Sequence, residues 1–161
     1  MNDWLQNIRG RLSAASFVLS DDVHFGEATF KMIARRSRFE LTKFGFSETF
    51  FIFTEFDSLN APALRAFSSK AFQCAKKIRK IGLPCGLFES VWCYAVAIAP
   101  VVDDEIWNAV RNESPSKHWA AAEIPVVYDS THKKLGYFEK TPIWGAAYYK
   151  TFRATIERFL G

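Results

Sequence analysis

Cysteine is scarce in this chain: three copies, Cys74, Cys85 and Cys93, in 161 residues. No two of them have CxxC spacing, and an odd number cannot be used up in intramolecular disulfides. All three are expected to be reduced and mostly buried, packing as small hydrophobes. Long apolar runs are missing too. The longest apolar run, 91–102, falls short of the roughly 20 residues a helix needs to cross a bilayer. Near the N-terminus, Arg9 and Arg11 precede the run 12–19, which is short and polar and is followed by Asp21-Asp22, a poor signal peptide. No glycine-rich loop follows a strand, which argues against nucleotide binding of the Rossmann or P-loop kind. Linkers, repeats and low-complexity tracts are also lacking. The expectation is a cytoplasmic protein without a membrane segment, folded as one domain over 1–161, with no metal and no cofactor.

The chain is rich in aromatic residues. Sixteen phenylalanines, with 49% apolar and 24% charged residues, describe a globular protein whose core energetics are dominated by rings. The formal net charge of +4 is too mild to imply nucleic acid by itself.

The stretch 83–102 organises the rest. Val91, Trp92, Tyr94, Val96 and Ile98 favour a strand buried on both faces, spanning 87–101. Ahead of it, Trp4, Leu5, Ile8, Leu12 and Ala15 mark an amphipathic helix over 3–15. Phe30, Ile33, Ala34, Ser37, Leu41 and Phe44 recur at three- and four-residue steps. Gly45-Phe46 follows as a Schellman-type stop, so 27–44 reads as a second helix, preferred over a hairpin. Residues 49–57 read as an interior strand. The segment 61–81 is a helix capped by Asn60 or Ser58, with Pro62 in its first turn and Gly82-Leu83-Pro84 after it. A short helix follows Asp103-Asp104-Glu105 to about Asn112, then a loop over 113–122 with a helical turn. Strands 124–129 and 135–139 form a hairpin, with Pro125 near the start of the first. Thr141 and Pro142 open a last helix with Trp144, Tyr148, Phe152, Ile156 and Phe159 as its stripe. The order is α-α-β-α-β-α-β-β-α. The fold class is α/β, with α+β as the alternative: a mixed sheet of about four strands with a right-handed βαβ unit, helices packed on it and a C-terminal antiparallel hairpin.

No motif specifies a reaction. Asp129 with Glu139-Lys140 resembles a metal-dependent nuclease site only superficially, because adjacent residues on a strand point to opposite faces. Cys85 or Cys93 with His118 would need an activated thiol, and Cys93 has only apolar neighbours. Arg35, Arg38, Lys76, Lys77 and Lys80 supply positive charge on the helices 27–44 and 61–81. Together they would make one basic surface for phosphates, with Arg35 and Arg38 close and Arg36 pointing elsewhere. Asp129, at a strand carboxyl end, and His118-Trp119, in a polar loop, are candidates for a ligand rim, with the core as the alternative place for Trp119. Glu89 faces either a polar site between strands or solvent at the strand end. The best reading is a binding or accessory protein acting through a protein partner or self-association, without evident catalytic machinery. Nucleic-acid binding and a divergent metal-dependent nuclease or hydrolase are the alternatives.

Overall fold

The computed structural model describes residues 3–41, 45–80, 89–143 and 146–161. Lys43, Phe44, the Gly82-Leu83-Pro84 stop, Cys85 and Trp144 lie outside them. The element order is α1 (Asp3–Ala14), β1 (Val18–Phe25), β2 (Ala28–Glu40), β3 (Gly45–Glu55), α2 (Ala61–Ile78), β4 (Glu89–Ala99), α3 (Asp104–Asn112), β5 (Ser116–His118), β6 (Ala121–Asp129), β7 (Lys134–Gly136) and α4 (Ala146–Leu160). One mixed sheet runs β1-β2-β3-β4-β6-β5, with β7 also paired to β6. The general α/β class stands, while the strand number and the order of elements do not.

Strand β4 is the centre. It pairs in parallel with β3 on one side and β6 on the other, so no backbone edge is left free, and its apolar composition follows. The expected βαβ unit is β3-α2-β4. A second one, β4-α3-β6, was not expected, because 124–129 was assigned only to a terminal hairpin. In fact β6 makes that hairpin with β7 and a parallel pair with β4 as well.

The largest correction is 27–44, which is not a helix. Residues 28–40 form β2, antiparallel to β1 and β3. The turn that sets this up is Gly26-Glu27, between the paired Phe25 and Ala28. Gly26 has φ +60° at the first central position, where a II′ hairpin places glycine. The three- and four-residue spacing of apolar side chains was coincidental. The period that governs is two: Met32, Ala34, Arg36 and Arg38 lie toward one face, and Ile33 and Arg35 toward the other. Asp21 and Asp22 belong to β1 and pair with Arg9 and Lys31.

Smaller corrections follow the same logic. Part of the 113–122 loop is β5, bonded to β6. Pro125 sits mid-strand, beyond the last β5 partner at Glu123 and before the first β7 partner at Val127. A missing N–H costs the ladder nothing in that gap. Helix α4 starts at Ala146 rather than Thr141, and Thr141 instead accepts a hydrogen bond from Arg153 (2.6 Å). Tyr148, placed in the buried stripe, is 52% exposed, and Tyr149 is buried in its place.

Two cores flank the sheet. Helices α2 and α3 cover one face through Leu64, Phe67, Ala71, Cys74, Ile106 and Val110, against Phe50, Ile52, Val91, Cys93 and Val127. Helices α1 and α4 cover the other through Leu5, Ile8, Leu12, Phe152 and Ile156, against Phe51, Phe53, Tyr94, Val96 and Ile124. The α2 cap is as expected: the Asn60 side chain accepts from the Ala63 N–H at 2.8 Å. No described helix is long and apolar enough to cross a membrane.

Packing at the α3 end leaves one position no slack. A methyl group on Gly136 would sit 2.2 Å from Cζ3 of Trp107 and 3.0 Å from Cγ2 of Val127. Gly136→Ala is therefore expected to destabilise the fold by about 1–3 kcal/mol through overpacking, read as a lower urea midpoint. Trp107→Leu in the same chain should recover part of the loss. An unchanged midpoint for Gly136→Ala would show that Trp107 moves freely.

Candidate functional site

A cleft of about 720 Å³ lies between α4 and the α1/α4 face of the sheet. Strand alternation builds its floor. On β3, Ser47 and Thr49 line it, and the same strand face continues into the core as Phe51 and Phe53, so it changes from hydroxyl to aromatic. On β4 the neighbours are Trp92 and Tyr94, and on β2 they are Arg36 and Arg38. Helix α4 forms the wall with Tyr148, Thr151, Thr155 and Arg158.

Three guanidinium groups and one carboxylate, that of Glu40 on β2, therefore line one cleft, a net positive lining. Arg36 is the fixed one: it donates to the Ala15 carbonyl (3.1 Å) and lies over the rings of Phe17 (4.3 Å) and Phe159 (5.3 Å). Its Nε is buried without a hydrogen-bond partner. Burial first, and then the like charges of Arg38 and Arg158, bring its pKa down to about 10. Arg38 and Arg158 are exposed at the mouth. The aromatic side is ordered as well. Trp92 donates from Nε1 to Ser47 (2.9 Å) and stands near Tyr148 (6.0 Å) and Phe152 (5.4 Å). Burial raises the pKa of the Tyr94 hydroxyl, against a hydrogen bond with Thr155. Such a surface offers positive charge, hydroxyl groups and flat ring faces together, which suits an anion that carries a ring.

Of the residues singled out from the sequence, only Arg38 lines this cleft. Arg35 faces the other layer and donates to the Ile78 carbonyl at the end of α2 (2.8 Å), satisfying one of the carbonyls a helix C-terminus leaves open. The sheet thus separates Arg35 from Arg38, and it is Arg36 that accompanies Arg38. Lys76 and Lys77 are exposed on α2, in the layer opposite the cleft. The Lys80 backbone N–H donates to buried Glu48 (2.8 Å). Glu89 is not solvated: it is 3% exposed and pairs with Arg79 at 3.4 Å. Arg35, Glu48, Lys80 and Glu89 thus tie the end of α2 to the sheet.

Asp129 is buried and accepts from the N–H groups of Val102 (3.0 Å) and His132 (2.8 Å) and pairs with His132 Nδ1 (2.9 Å). Glu139 turns away from it to Arg111 (3.0 Å). Among the described residues, no three His, Cys, Asp or Glu side chains stand together as a metal-ligand set. Cys74 and Cys93 are buried free thiols; burial pushes the first up to about 11 and holds the second well above the usual thiol value. His118 stacks on Phe72 (4.5 Å) and lies 3.8 Å from Glu123. Trp119 is 81% exposed at the β5–β6 turn, not part of the core.

The reading from sequence missed Arg36, Trp92, Tyr148 and Arg158 as site residues. The Ser47-x-Thr49-x-Phe51 alternation was the available signal, since a strand face that turns polar marks where the core gives way to a cleft. Compared with protein-family models, curated proteins and solved structures, the chain matches none of them.

Proposed function

We propose that the chain, as one cytoplasmic domain, is a binding protein whose cleft takes a phosphate-bearing ligand with a planar ring, such as a nucleotide unit. One observation carries this reading: Arg36, Arg38 and Arg158 line the same cleft as Trp92 and Tyr148. Bringing like charges together disfavours the empty cleft, and an anion among them relieves that cost. The ring faces opposite supply stacking, which tolerates different bases. The volume lies within the range of ligand pockets, roughly 300–1,000 Å³.

The test is titration with a fluorescent nucleoside monophosphate at several salt concentrations. Affinity is expected to fall as salt rises. Arg38→Ala and Arg158→Ala, both at exposed positions, should each weaken binding by about 1.5–3 kcal/mol if they make a charged hydrogen bond to the phosphate, with stability unchanged. Binding that ignores both substitutions would remove the reading, and Lys76→Ala/Lys77→Ala in the far layer should leave it intact.

A second reading, a protein partner or self-association, has its own support in Trp119 and in Ile143, which is 93% exposed. An exposed tryptophan is a frequent anchor of interfaces. Light scattering distinguishes it: a species above monomer mass that Trp119→Ala returns to monomer supports it, and a monomer at all concentrations counts against self-association.

A further inference from the structure

The cleft does not end at Trp92. A second hollow of about 180 Å³ is lined by Trp92, Tyr148 and Phe152, the same three rings, and continues to Lys117, His118 and Ala120–Ala122. The rings are thus shared by both hollows, and cations stand at both ends: Arg36, Arg38 and Arg158 at one, Lys117 at the other. Lys117 belongs to β5, and its ammonium group lies 4.2 Å from the Tyr149 ring. Arg38, Tyr148, Thr151, Arg158 and Lys117 are all exposed, so the feature is an open trough rather than a closed chamber.

We infer that the trough holds a single strand of nucleic acid longer than one nucleotide, with phosphates at the arginine end and at Lys117 and bases against Trp92 and Tyr148. This rests on the reading of the cleft as a nucleotide-binding site and extends it. A free nucleotide carries its phosphate at one end and would use one end of the trough. Cations at both ends of a shared aromatic stretch match a repeating phosphate–base ligand, the pattern by which single strands are bound with little sequence preference. A duplex hides its base faces in the stack and cannot present them to Trp92 and Tyr148.

Fluorescence anisotropy with labelled oligothymidylates of increasing length, competed by thymidine monophosphate and by a duplex of equal length, tests this. Affinity should rise by about tenfold or more from the mononucleotide to an oligomer of about four nucleotides, and single strand should exceed duplex. Lys117→Ala should lower oligomer affinity about five- to tenfold and leave mononucleotide affinity unchanged. If the mononucleotide binds and length adds nothing, or if duplex binds as well as single strand, the inference falls and the nucleotide site stands. If neither mononucleotide nor oligomer binds at low salt, the site reading falls and takes the inference with it.

Discussion

Phe51→Ala is expected to lower unfolding free energy by about 3–5 kcal/mol, the range for removing a buried ring. Phe51 has no exposed surface. It stacks on Tyr94 (4.7 Å, 21°) and contacts Phe17 (5.6 Å), Phe53 (6.4 Å) and Phe159 (5.8 Å). Those partners come from β4, the segment after α1, β3 itself and α4, so the cavity left by the substitution would open where four parts of the chain meet. None can close it alone without disturbing the others, which places the cost toward the upper end. Phe39→Ala is the control. The residue is 52% exposed and its ring meets Phe46 edge-on at 5.2 Å, so its loss should be about 1 kcal/mol or less. Urea unfolding of both variants checks the difference, and equal midpoints would refute the assignment of the core. Because Phe51 adjoins Thr49 and Tyr94 at the cleft floor, the variant should also weaken ligand binding.

Asp129→Ala is expected to cost about 2–4 kcal/mol at neutral pH, since a buried N–H, that of Val102, and a part-buried one, that of His132, lose a charged acceptor. Burial alone would push the Asp129 carboxyl up. The His132 backbone and ring bonds and the Val102 N–H outweigh it, and the net result lies below the usual carboxylate range. A depressed folded-state pKa means the contribution is complete above the unfolded-state value of about 3.9 and is lost as pH falls through the folded one. The stability gap between the native chain and Asp129→Ala should therefore narrow as pH falls below about 4. A gap that grows as pH falls below about 4 would have the wrong sign. His132→Ala should cost far less, because its ring is 64% exposed and the backbone bonds remain.

What was legible in the sequence follows from where the deciding information sits. Helix α2 carries its own punctuation, with Asn60, Pro62 and an apolar stripe, and was read to within a few residues. Strand β4 declared itself by having no polar face. Strand β2 did not, because Phe30, Ile33, Ala34 and Ser37 fit helical spacing as well as they fit a strand whose faces are both covered, and the deciding Gly26 turn lay outside the window. That error propagated to the site. A helix brings Arg35 and Arg38 together, whereas a strand pairs Arg36 with Arg38 and sends Arg35 through the sheet. The remaining lining comes from β3, β4 and α4, about 45 to 110 residues apart, a proximity that only the folded chain supplies.

The way β6 is bordered has a consequence for assembly. Residues 121–123 are occupied by β5 and residues 127–129 by β7, and the gap between them contains Pro125. At the opposite margin, β1 presents Asp21 and Asp22, with Asp22 at φ +45°. Proline denies an incoming strand its donor, and charged side chains with a local twist at Asp22 make the β1 edge a poor template. The sheet is thus guarded against growth by strand addition at both margins. Fibril-type polymerisation of the native fold is disfavoured, and two copies that associate must do so through side-chain surfaces such as the one around Trp119.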